Sequence, residues 1–116
     1  MTHEPLPERD FDEYADKTLR ALDQALNDID GVEVDLESGI LTLEFEDGMK
    51  YIVNSHRAAR QIWMAAERTA WHFDYLPADK RWVATKSAEE LWATVEAVVT
   101  RKLGAPINLS RPALSP

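Results

Sequence analysis

Apolar residues recur along this chain at two spacings, and the switches between them mark out its elements. Phe11, Tyr14, Ala15, Thr18, Leu19, Leu22, Ala25, Leu26 and Ile29 follow three- and four-residue steps, which predicts an amphipathic helix over roughly residues 9–28. Glu8, Asp10, Asp12 and Glu13 crowd its start, where the positive end of the helix dipole favours carboxylates. Gly31 ends the helix and the period drops to two. Val32, Val34 and Leu36 alternate with Glu33, Asp35 and Glu37; after Ser38-Gly39, Leu41, Leu43 and Phe45 alternate with Thr42, Glu44 and Glu46. Both stretches read as half-buried strands. Asp47-Gly48 signals a tight hairpin with positive φ at both central residues, leading into a third strand from Lys50 to Asn54. Gln61 to Ala65, Trp71 to Tyr75 and Arg81 to Thr85 read as further short strands, the last two joined through Pro77, Ala78 and Asp79. Ser87-Ala-Glu-Glu90 has the form of a capping box opening a second helix. The stripe of that helix is Leu91, Trp92, Val95, Val98, Val99 and Leu103, and it stops at Gly104 with Pro106 beyond.

This order predicts an α+β fold. Its architecture is a two-layer α/β sandwich, with both helices on one face of a five- to six-stranded antiparallel sheet and the other face left to solvent. The expected division is a flexible arm over residues 1–8, one domain over 9–104, and an extended tail over 105–116, whose Ile107 and Leu109 can dock on the domain. At 116 residues and 45% apolar content, one core suffices.

Charge changes the picture. Residues 1–47 hold fifteen acidic side chains against Arg9, Lys17 and Arg20, a sum of 3 − 15 = −12, while the remainder, with ten basic and six acidic residues, sums to +4. Because the acids are threaded through periodic segments, they belong on folded surface and not in a disordered tail. The overall charge of −8 disfavours nucleic acid, whose phosphates are bound through Lys and Arg. With no Cys there is no disulfide, thiolate metal site or cysteine nucleophile. Neither a secretory signal nor a bilayer-length apolar run is present, so a cytosolic protein is expected.

On a helical wheel Asp12, Asp16, Asp23 and Asn27 fall within about 60° of one another at 100° per residue. If the first strand is a sheet edge beside this helix, Glu33, Asp35 and Glu37 continue the ridge, with Glu44 and Glu46 further across. A merely solvated acidic surface is the plain alternative. Against it, like charges packed this densely cost a few tenths of a kcal/mol per neighbouring pair. An oxygen-only donor set suits hard cations or iron better than zinc or copper, and such a site would be weak and open. The sequence has no calcium-binding loop, no Glu-x-x-His pair, no glycine-rich phosphate loop and no G-x-S-x-G nucleophile motif. His3, His56 and His72 are too dispersed for a closed metal site and read as surface or strand residues. Trp82 and Trp92 read as core. Trp63 is different, because alternation in Gln61-Ile-Trp-Met-Ala65 puts Ile62 and Met64 on one face and Gln61 with Trp63 on the other, displaying an aromatic on the open sheet.

These segments together resemble the frataxin family, in particular its bacterial CyaY-type members. The resemblance runs through FDEYADKTL in the acidic helix, the hairpin GILTLEFEDG, the strand ending at Asn54, QIWMA, WHFD and the Trp-containing EELW, covering residues 9–104. The chain departs from it in two places. Ser55-His-Arg-Ala-Ala-Arg60 stands where the family carries a Gln-x-Pro element, and Thr69-Ala70 replaces a Gly before the HFD-like strand. The resemblance implies the frataxin-like sandwich and a non-enzymatic, iron-binding regulator or iron donor of iron-sulfur cluster assembly in the bacterial cytoplasm. It implies weakly bound ferrous or ferric iron at Asp12, Asp16, Asp23, Asp28, Asp30, Glu33 and Asp35. It further implies docking of the acidic ridge on a basic patch of a cysteine desulfurase, with an iron-sulfur scaffold protein as second partner. Asn54, Gln61 and Trp63, with Glu44, form the implied partner surface. A monomer is expected, with oligomers only when iron is bound. Some eukaryotic relatives are credited with oxidising ferrous iron, but no defined catalytic centre is visible here. The competing reading is an acidic protein-interaction module whose metal binding is incidental.

Overall fold

In the computed structural model, which describes residues 6–109, the first helix, α1, spans Glu8–Asn27, close to the span predicted from its period. Pro7 precedes it, and its carbonyl accepts the Phe11 N–H at 2.9 Å. Phe11, Ala15, Leu19, Leu22, Ala25 and Leu26 are buried, one continuous face of the helix. Burying a side chain of this size stabilises the fold by about 1.5–3 kcal/mol, so this face alone fixes how α1 lies on the sheet.

Six strands follow as an antiparallel meander in sequence order: β1 Val32–Glu37, β2 Ile40–Phe45, β3 Lys50–His56, β4 Gln61–Ala66, β5 Thr69–Leu76 and β6 Arg81–Ala84. The second helix, α2, is Leu91–Leu103. Register settles which face each residue occupies. Val32, Val34 and Leu36 pair with Phe45, Leu43 and Leu41; Leu41 and Leu43 pair with Val53 and Tyr51; Val53 and Ser55 pair with Met64 and Ile62. Leu41, Leu43, Phe45, Tyr51, Val53, Ile62, Met64, Phe73 and Trp82 are buried in one core with α1 and α2. Trp82 packs edge-on against Phe11, with ring centroids 5.9 Å apart, and its indole N–H donates to Thr18 Oγ1 at 3.0 Å, tying the last strand to the first helix. Trp92, expected in the core, is only half-buried.

Three local expectations are corrected. The tight two-residue turn with positive φ at both positions is not at Asp47-Gly48, where only Gly48 is left-handed. There Gly48 N–H donates to the Phe45 carbonyl at 2.9 Å, which makes a three-residue loop of Glu46, Asp47 and Gly48. The two-residue geometry occurs instead at Ser38-Gly39 (φ 51° and 77°) and at Glu67-Arg68 (φ 56° and 72°). Second, α2 does not begin at the Ser87 box. Glu90 bridges to Val83 and is held extended, so it caps the helix itself, its carboxylate accepting from Trp92 and Ala93 N–H at 2.8 and 3.1 Å. Ser87 Oγ accepts only from Glu89 N–H. Third, β3 runs two residues past Asn54 to His56, into a 3₁₀ turn over Arg57–Ala59.

Beyond α2 the chain stays attached. Ile107 N–H donates to Thr100 Oγ1 at 3.4 Å and Leu109 N–H to Glu96 Oε2 at 2.9 Å, both residues half-buried as anticipated. Leu6 packs on the core, and its carbonyl accepts from Arg60 Nε at 3.1 Å. Most of the predicted arm, with His3, and the end of the tail lie outside the described residues. No helix among the described residues is long and apolar enough to cross a membrane.

Candidate functional site

The α1 face turned away from the core carries Asp12, Asp16 and Asp23, as the wheel required. Asp12 and Asp23 are half-buried and Asp16 is exposed. Each carboxylate already has a partner: Arg57 Nε donates to Asp12 Oδ1 at 3.1 Å, Arg20 Nε to Asp16 Oδ2 at 2.8 Å, and Asn27 Nδ2 to Asp23 Oδ1 at 3.4 Å. All of these are solvent-accessible, where an ion pair is worth about 0–1 kcal/mol, so an incoming cation or guanidinium displaces them at small cost.

Asp28 and Asp30 are exposed in the turn between α1 and β1. They line an open groove of about 760 Å³ whose other walls include Phe45, Glu46, Asp47, Lys102 and Leu103. Asp47 accepts from Lys102 Nζ at 2.5 Å and from Met49 N–H at 2.9 Å; these bonds, the lysine first, hold its carboxyl below the usual carboxylate range and lift the Lys102 ammonium above its own. The groove therefore carries one ion pair of its own beside further carboxylates.

Glu33 and Asp35 lie elsewhere again. β1 is an edge strand, as the ridge required, but Val32, Val34 and Leu36 take its core side, so Glu33, Asp35 and Glu37 belong to the open sheet face. Glu33 sits opposite Glu44, and Glu44 opposite Lys50, giving an acid-acid-base row. The seven proposed ligands thus wrap one edge of the molecule in three groups: on the helix, in the turn and on the open face. Among the described residues no three Asp, Glu, His or Cys side chains converge into a metal-holding group. The donor chemistry fits a hard cation, but the arrangement permits only open, low-denticity contact.

The open face holds the second part of the site. Asn54 lies opposite Trp63, which lies opposite His72; one row over, His56 lies opposite Gln61, which lies opposite Asp74. Trp63 is displayed from the sheet as predicted, but not as a bare ring. His56 stacks on one side, with centroids 3.7 Å apart and planes 14° apart, and His72 on the other, at 4.3 Å and 12°. Trp63 Nε1 donates to Gln61 Oε1 at 2.8 Å, and Gln61 Nε2 donates to Asp74 Oδ1 at 3.0 Å. Both faces and the one polar atom of the indole are occupied, so a partner meets the edge of a three-ring slab. Asn54 Nδ2 donates to the Ser55 carbonyl at 3.2 Å. His56, His72, Asp74 and Arg57 were not singled out for this surface by sequence. Continuing the alternation outward from Trp63 identifies His72 once β4 and β5 are paired; His56 needs the β3–β4 register as well.

Known proteins share the sequence and the fold over most of the chain. A family model described as the frataxin-like domain matches residues 4–105. The iron-sulfur cluster assembly protein CyaY of Pseudomonas fluorescens is 35% identical over 105 residues, covering 89% of this chain and 94% of that protein. The fold is that of a frataxin from Psychromonas ingrahamii, with a TM-score of 0.83 at 22% identity over 91% of this chain and all of that one. A trimeric yeast frataxin solved as a ferrous complex superposes at a TM-score of 0.62, with 24% identity, covering 89% of this chain and 91% of that one.

Proposed function

This chain belongs to the frataxin-like family, and from that we propose that it serves iron-sulfur cluster assembly as an iron-responsive docking protein, not as a catalyst. The reading is carried by one observation: the carboxylates of α1, the α1–β1 turn and β1 wrap a single edge without three of them converging. Such an edge binds ferrous iron weakly and at several overlapping positions, and gives it up readily. Iron here is cargo. The bacterial relative's name places it in cluster assembly and the yeast protein was solved with ferrous iron, which supports extending both properties to this chain. On this reading the acidic edge meets a basic patch of a cysteine desulfurase, while the Asn54, Gln61 and Trp63 surface, with Glu44 at its acidic border, meets the scaffold protein. The protein works as a monomer, and iron drives any higher assembly.

An anaerobic titration with ferrous iron, followed by amide NMR, tests the metal part. Amides between Asp12 and Asp35 should broaden first, and D12N/D16N/D23N should delay the effect several-fold; broadening that starts elsewhere rejects the ridge as the iron site. A second reading has its own support. In this molecule these acids visibly bind Arg and Lys: Arg57 on Asp12, Arg20 on Asp16, Lys102 on Asp47. If their task is only to receive a basic partner, the triple Asn variant loses desulfurase binding equally with and without chelator. Binding that depends on iron restores the first reading.

A further inference from the structure

The His56 ring serves two surfaces at once, and one of them only in one protonation form. Its Nδ1 accepts the Ala59 N–H at 3.3 Å, capping the 3₁₀ turn, while its face lies on Trp63. We propose that neutral His56, carrying its proton on Nε2, positions the turn from its place on the Trp63 slab, and that protonation at Nδ1 releases the turn while the ring stays on the indole. The proposal concerns the chain's own conformations and holds whether or not the acidic edge binds iron.

An imidazolium has two donors and no acceptor. A proton on Nδ1 therefore replaces the bond from Ala59 with two N–H groups pointed at each other. Within the turn the remaining bonds both end on one acceptor, the Arg57 carbonyl, which receives the Arg60 N–H at 3.1 Å and the Arg60 side-chain Nη1 at 2.5 Å. The turn is three residues long, has no buried residue, and ends at Arg60 in the left-handed region (φ 56°). What it carries matters more. Arg57 donates to Asp12 at 3.1 Å, and Arg60 donates to the Leu6 carbonyl and lies 3.7 Å from Glu8. Release of the cap loosens the segment that holds Arg57 on the α1 carboxylate, while the protonated ring keeps its place on the indole face. Acid thus couples the acidic helix to the open sheet through one side chain.

The charged and titratable groups around the ring are Arg57 beside it in sequence, Arg60 closing the turn, His72 and Asp74 on β5, and Glu8 and Asp12 on α1. His72 differs from His56 in a way that separates them experimentally. It stacks on the opposite face of Trp63, and its ring nitrogens cap nothing among the described residues. Protonated, it gains attraction to the indole quadrupole and gives up no bond. His56 gains the same attraction but loses its cap.

The test uses the full-length, metal-free protein, labelled with ¹⁵N and studied with chelator between pH 8 and 5.5, the interval in which imidazoles as a class change charge. At pH 8 the His56 ring should show an unprotonated Nδ1. On acidification the Ala59 amide and the Trp63 indole N–H should shift with the His56 ring, and the protection of the Ala59 amide against exchange should fall at least threefold. H56Q, whose amide oxygen still accepts but does not titrate in this interval, should abolish the response; H72Q should leave it in place. A protonated Nδ1 at pH 8, an Ala59 amide that stays fixed across the interval while the His56 ring signals move, a response that survives in H56Q, or one that vanishes in H72Q would overturn the proposal. H56F, which keeps a ring on Trp63 without an acceptor, should show the low-pH Ala59 protection at every pH. If H56F does not fold, the Gln pair still decides.

Discussion

Gly31 joins α1 to β1 in the middle of the acidic turn, and its replacement by Ala tests whether that junction is set by backbone conformation or by packing. Its φ is +94°, and an added Cβ would sit 2.9 Å from Leu103 Cδ2 on α2. Gly48 is the natural control, with φ +86° and nothing within 4 Å of its Cβ position. Holding an L-residue in the left-handed region costs about 1–2 kcal/mol, so Gly48→Ala should cost that amount and no more. Gly31→Ala adds the contact. Leu103 is half-buried and meets the new methyl with the tip of its side chain, so it can swing away, and the added cost lies at the lower end of the overpacking range, about 1 kcal/mol. The expected order is therefore about 2–3 kcal/mol for Gly31→Ala against about 1–2 kcal/mol for Gly48→Ala, read from urea midpoints at unchanged slope. In a Leu103→Ala background the excess should vanish, leaving the two glycine substitutions equal; the cycle isolates the contact because the pair touches directly. Equal costs in the wild-type background, or an excess that persists without the Leu103 side chain, would refute the reasoning.

Arg68→Gly should stabilise the protein by about 1 kcal/mol, raising the thermal midpoint by roughly 4 °C, because Arg68 holds φ 72° in the β4–β5 turn and glycine adopts it without strain. Thr18→Val should cost about 1–3 kcal/mol by leaving the buried Trp82 indole N–H without its acceptor, and almost nothing once Trp82 is Phe; a similar cost in both backgrounds would mean that the bond contributes little. The Arg101 guanidinium, bonded to both oxygens of Glu67 at 3.2 and 2.6 Å, holds that carboxyl below its ordinary value. A depressed folded-state value contributes stability above the unfolded value, about 4.3 for Glu, and loses it as pH falls through the folded one. Wild type should therefore exceed Glu67→Gln in urea midpoint at pH 7, with the gap closing below about pH 4; a gap independent of pH would assign the effect to packing.

Helices and strands were legible here wherever burial is one-sided, because a face that must enter the core imposes its period on the sequence. The α1 stripe and the alternation in β1, β2 and β4 are of this kind. Turns were less so. Asp-Gly serves equally in a two-residue turn and as the end of a three-residue loop, and the choice falls to the pairing of Phe45 with Met49 around it. Glu67-Arg68 carries no turn signal at all. It adopts positive φ because β4 and β5 pair through Ala66 and Thr69 and leave only two residues to reverse the chain. The capping box misled for a related reason: the Val83–Glu90 bridge delays helix entry until the box residues have passed.

The candidate site shows the same division more sharply. Its acids were legible because the helical wheel and the strand alternation each assign a face. What neither assigns is whether the two faces are the same side of the molecule. They are not: α1 covers the side of β1 that Val32 occupies, which turns Glu33 and Asp35 to the opposite one. A ridge imagined as one surface is therefore an edge seen from two sides, and a partner that grips it must reach round β1. The open face was legible for Trp63, whose parity follows from Ile62 and Met64, but not for the two imidazoles that cover it. Those arrive from β3 and β5, nearest neighbours of β4 that are separated from Trp63 by seven and nine residues in sequence, and only the register brings them together. The consequence is chemical. A lone indole offers a partner its π face, whereas the slab offers edges and imidazole nitrogens, so the aromatic anchor read from sequence presents polar groups where its face was expected.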